Sequence, residues 1–168
     1  MIARSYILKN LGELDRAFRS ARSQKHGIYF SKLAILELCG WIEISMDTLI
    51  LEHCGKHVAE GKNTKIVQDS VKRTYGFDYD DHFRRMLINL IGAITCERLE
   101  ARIPVATRTK LAAQLNSLKV IRNGLAHTYL KGPTATLRID APSFTIARFA
   151  DIHNGLKAFE VELRALKH

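Results

Sequence analysis

The chain is expected to fold as an all-α, up-and-down bundle of about five to six helices. Three features point there. Apolar residues recur at spacings of three and four along most of its length. Gly and Pro punctuate these stretches. With 168 residues, 46% of them hydrophobic, the chain suits a single buried core, so one domain over 1-168 is expected.

The elements follow in order. Ile7, Leu8, Leu11, Leu14 and Phe18 form one stripe, predicting a first helix over 2–23 that breaks at Gly27. Ser31 is the expected N-cap of a long second helix over 31–55. Leu33, Leu36, Trp41, Ile44, Leu49 and Ile50 leave that helix few polar faces, which places it centrally. Gly55 and Gly61 bracket its end. A short third helix over 63–74 is capped by Asn63 and stops near Gly76. Asp80 or Asp81 then caps a fourth helix running to about Arg102, with an apolar, buried stretch from Met86 to Cys96.

Pro104 restarts the chain. Leu111, Leu115, Leu118, Ile121 and Leu125 stripe a fifth helix from about Thr107 to Tyr129, ended by Gly132-Pro133. Residues 134–144 are an irregular segment with one short strand at Ala135–Ile139. Phe149, Ile152, Leu156, Phe159 and Leu163 stripe a last helix over Thr145–Leu166. No internal repeat and no linker long enough to separate domains is seen.

Charge and cysteines narrow the function classes. The net charge is +9. Residues 103–168 hold 10 basic and 4 acidic side chains, a net of +6, against +1 for 1–60 and +2 for 61–102. Such an excess favours polyanions as partners, although a solvated basic surface has the same composition. Cys39, Cys54 and Cys96 are an odd set without a CxxC pair, which suits reduced core thiols rather than a disulfide framework. The first ten residues carry no long apolar run and no cleavage signature. The apolar 33–51 stretch contains Glu37, Glu43 and Asp47, which are costly in lipid. A cytoplasmic protein with no membrane partner is therefore expected.

The chemistry concentrates in Arg122-Asn123-Gly124-Leu125-Ala126-His127, followed by Thr128-Tyr129. Arg122 keeps its charge and offers a fork matching two phosphate oxygens. His127 titrates near neutrality and can act as general acid or base. Asn123 and His127 are four apart and share a helix face, so the amide can orient the imidazole or contact substrate.

This Arg122-x4-His127 pattern, with Asn123 beside the Arg, resembles the HEPN superfamily of helical-bundle domains, many of them metal-independent ribonucleases that work as dimers. The second helix, SKLAILELCGWIEISMDTLI, looks like that of the RiboL-PSP branch. The tail TATLRIDAPSFTIARFADIHNGLKAFEVEL is similar to that branch's loop and final helix. The likeness spans roughly residues 28–165 and implies an HEPN-like bundle. It implies that Arg122 and His127 are the catalytic pair, with Asn123 the accompanying polar residue and Glu43 a supporting acid. Tyr129 extends the pattern to R-x4-H-x-Y. In some HEPN toxins the matching tyrosine is adenylylated by a nucleotidyltransferase antitoxin, although an aromatic closing the helix against the bundle is the plainer role.

The expected function is an endoribonuclease acting on RNA as a homodimer, a toxin or phage-defence effector with a nucleotidyltransferase-type antitoxin as partner. The 2′-hydroxyl supplies the nucleophile. Two imidazoles brought together by a dimer divide the acid and base roles, and two Arg122 side chains hold the phosphate. The products are a 2′,3′-cyclic phosphate and a 5′-hydroxyl, and no cofactor is needed. The alternatives are a catalytically silent HEPN module that binds a nucleotide, nucleic acid or protein partner, and a basic DNA-binding bundle. The latter ranks last because no helix-turn-helix signature is evident.

On an ideal helix Arg122 and His127 lie about 140° apart, and Arg122 falls within the Leu118/Leu125 stripe. Three resolutions stand open: a helix disturbed near Gly124, a groove reached from both faces, or Arg122 as the buried partner of Glu37 or Glu43. His53, Cys54 and His57 gather metal-ligand types without a second ligand cluster, and Asp78, Asp80 and Asp81 lack the Gly and spacing of a calcium loop, so no metal site is expected. His26, His82, His153 and His168 have no evident companions. Lys72-Arg73 and Arg84-Arg85 read as solvated faces or an extended RNA track.

Overall fold

The computed structural model describes residues 2–126 and 139–166. Seven α-helices make up the bundle among the described residues, with no strand: α1 (Ser5–Arg19), α2 (Gln24–His57), α3 (Gly61–Lys72), α4 (Arg85–Ile91), α5 (Ala93–Arg102), α6 (Val105–Ala126) and α7 (Pro142–Ala165). A π-helical turn, Tyr79–Arg84, leads into α4. No helix of the described residues is long and apolar enough to cross a membrane.

The central place of α2 follows from its composition. Ala34, Ile35, Leu38, Ile42, Met46, Leu49 and Ile50 are all buried, and the helix packs against α1, α3, α4, α6 and α7. It begins seven residues before the expected Ser31. Ser23 caps it instead, its hydroxyl accepting from the His26 amide at 3.3 Å. Gly27 therefore does not break the chain. It lies inside α2 under the Phe18 ring, so α1 and α2 pack closely there. Ser31 is buried within the helix, its hydroxyl without a hydrogen-bond partner among the described residues. Trp41 ties down the N-terminal segment, donating to the Ala3 carbonyl at 2.8 Å and packing edge-on to Phe149.

The single expected fourth helix is three pieces. Asp78, not Asp80 or Asp81, provides the cap, accepting from the Asp81 amide at 2.8 Å. The Phe83 amide reaches back five residues to the Asp78 carbonyl, opening the turn to π geometry. Gly92, at φ 77°, then breaks α4 from α5, in a conformation that favours glycine. Glu60 rather than Asn63 caps α3. Pro142 opens α7 three residues earlier than Thr145, at a position where its missing N–H costs nothing. Most of the proposed strand, the end of the fifth helix near Tyr129 and Gly132-Pro133 lie outside the described residues. Ile139 is described and belongs to no strand.

Helices α6 and α7 meet at Gly155. A Cβ there would lie 2.8 Å from that of Leu111, so only glycine allows this approach. Below them, Phe83 packs edge-on to Phe159 at 5.0 Å between ring centroids. The core is held at one polar point by Glu100, which accepts from the Tyr79 hydroxyl at 2.7 Å and from Arg84 Nε at 2.8 Å.

Candidate functional site

Helix α6 carries Arg122 and Asn123 in its last turns, where it runs against α2. It stays α-helical through Gly124 to Ala126, so the helix is not disturbed there. Nor is Arg122 sealed in the core. Its side chain is 40% exposed and lies 3.6 Å from a Glu43 carboxylate that is itself 34% exposed. It also donates to the Asn123 side-chain carbonyl at 3.4 Å. Glu37 instead accepts from the Asn10 amide at 3.3 Å. Three of the five sequence-selected residues, Arg122, Asn123 and Glu43, thus stand together. His127 and Tyr129 lie outside the described residues.

Two neighbours were not evident in the sequence. Cys39 is buried near Arg122 and Glu43. Burial pushes its thiol up to about 12, the Arg122 charge opposing and the Glu43 charge adding to the shift. Asp47 lies one turn beyond Glu43 on α2. Burial first, and then the Glu43 charge, raise its carboxyl to about 6. The i, i+4 repeat of acids at 43 and 47 was the available signal, but an amphipathic helix offers many such pairs.

The Arg122–Glu43 pair is weak, since a half-exposed ion pair contributes about 0–1 kcal/mol. Glu43 and Asn123 position the guanidinium fork.

Many cations of the C-terminal third are engaged. Lys110, Lys119, Arg122, Arg148, Lys157 and Arg164 each hold a carboxylate.

His82 has companions after all. Its Nδ1 lies 2.6 Å from Asp78 Oδ2, and the same carboxylate takes Lys119 Nζ at 2.5 Å. Burial works to raise the Asp78 carboxyl, but Lys119, the Asp81 amide and His82 hold it below the usual carboxylate range. Lys119 is one helical turn before Arg122 on α6. His53 and His57 lie with ring centroids 4.4 Å apart and planes tilted by 35°, and no group of three metal-ligand side chains forms among the described residues.

No protein-family model, no curated protein and no solved structure matches this chain.

Proposed function

We propose that this protein is a metal-independent endoribonuclease of the HEPN type, working as a homodimer through Arg122, Asn123 and His127. The observation that carries the reading is the half-exposed Arg122 fork, pre-aimed by Glu43 and Asn123 and only loosely held. It serves as a clamp for the phosphorane-like transition state. His127, four residues beyond Asn123, supplies the acid or base, and a second copy supplies the other. Partly exposed Leu33, Leu36, Ile44 and Leu51 on α2, the helix of Glu43, support apposition of two protomers there. A toxin or phage-defence role, with a nucleotidyltransferase antitoxin acting on Tyr129, rests on the family resemblance.

The test is cleavage of end-labelled RNA in excess EDTA. Wild type leaves 2′,3′-cyclic phosphate and 5′-hydroxyl ends, and Arg122→Ala and His127→Ala each lose at least about 100-fold in rate. RNA left whole by wild type across pH and salt favours the silent binding module. Activity that requires a divalent ion overturns the metal-free mechanism.

A further inference from the structure

Between α3 and the start of α4 opens a cleft of about 840 Å³, lined among others by Ser70, Arg73, Tyr75, His82, Arg85 and Asn89. Asn89 on α4 donates to the Ser70 hydroxyl on α3 at 3.2 Å, tying the two helices at the cleft.

Three observations assign it a ligand class. First, Arg73 and Arg85 are exposed and hold no carboxylate among the described residues, in contrast to the engaged cations of α6 and α7. Asp69 and Asp81 also line the cleft, and Asp81 is turned to Lys119 at 3.8 Å. Second, Tyr75 is 85% exposed, an aromatic face held in water beside two guanidinium groups. Third, His82 on the cleft wall is fixed by the buried Asp78 through Nδ1 at 2.6 Å, so the wall is held in place. Gly76, at φ 137°, packs against the edge of that ring, since a Cβ at this position would lie 2.6 Å from Nε2.

Unpaired guanidinium groups beside a bare aromatic ring match alternating phosphates and bases. A folded duplex keeps its bases stacked inside, so the Tyr75 face suits an unpaired strand. We infer that this cleft binds single-stranded RNA, with Arg73 and Arg85 on phosphodiester oxygens and Tyr75 stacked on a base. The inference rests on the ribonuclease reading for the choice of RNA. Lys119, bound to Asp78 beside the cleft, stands one turn before Arg122 on α6.

The test uses a fluorescein-labelled, fully 2′-O-methylated 12-nucleotide strand, which binds but offers no 2′-hydroxyl for attack. Anisotropy titrations compare wild type with Arg73→Ser/Arg85→Ser and with Tyr75→Ala, all at exposed positions, with thermal melts confirming the fold. The double variant is expected to raise Kd at least about 10-fold and to lower the salt slope by about 1.4, the share of two phosphates on a single strand. Tyr75→Ala is expected to raise Kd about 5-fold or more. Unchanged Kd and slope in the double variant, or no binding by wild type, overturns the cleft. Cleavage of unmodified RNA by wild type in EDTA is read separately: its absence defeats the ribonuclease reading, whatever the binding result.

Discussion

Glu43 and Asp47 stand one turn apart on α2, and the charge of the first, added to burial, lifts the carboxyl of the second to about 6. Asp47 therefore binds its proton more tightly folded than unfolded. The stability this confers is fully present below the ordinary carboxylate value of 3.8 and is lost as pH rises through about 6. Asp47→Asn is expected to be more stable than wild type at pH 8, on the order of 1–2 kcal/mol, with the gap closing near pH 4. Urea unfolding at both pH values checks this.

The same proton bears on substrate. If Arg122 grips phosphate, neutralising Asp47 removes an opposing charge. Affinity for the 2′-O-methylated strand should rise between pH 7 and pH 5.5 in wild type more steeply than in Asp47→Asn. Equal slopes in the two proteins would separate Asp47 from the phosphate site.

Glu43→Gln keeps the shape of its side chain and removes the charge that aims Arg122. A stability change within about 1 kcal/mol is expected, because the pair is half exposed. The cleavage rate should fall several-fold as the fork loses its preferred position. A stability loss of about 3 kcal/mol or more in a melt would instead mark the pair as part of the core.

Glu100 is a different case. It is buried and binds Tyr79 and Arg84 together. Glu100→Ala leaves the buried Tyr79 hydroxyl unpaired and the part-exposed Arg84 without its carboxylate, and a loss of about 1–3 kcal/mol is expected by denaturant unfolding. Tyr79→Phe, which removes one hydrogen bond, should cost about 1 kcal/mol.

Gly155→Ala forces α7 away from Leu111. About 1–3 kcal/mol of destabilisation is expected, visible as a lower Tm. Gly124→Ala, where a Cβ meets nothing within 4 Å, is expected to be neutral or stabilising.

The stripes of α1, α6 and α7 were legible because they repeat over several turns, and their residues Leu11, Leu111, Leu115, Phe149, Leu156 and Phe159 are all in the core. Helix boundaries were less so. Ser31 and Ser23 are both plausible caps by type, and Gly27 looks like a stop until Phe18 is seen packed against it. Gly92 divides an apolar run that periodicity joins, because its positive φ is a backbone property.

What the sequence determined by itself was the helical class, the core stripes and the presence of Arg122 and Asn123 near a helix end. These depend on local spacing and side-chain type. Only the tertiary structure decided that Glu43 rather than Glu37 meets Arg122, that Asp47 lies beside that pair, and that His82 is fastened to Asp78 and Lys119. Those partners are tens of residues apart or belong to a turn whose geometry is not periodic. Their meeting depends on how helices cross, which packing of the whole core sets.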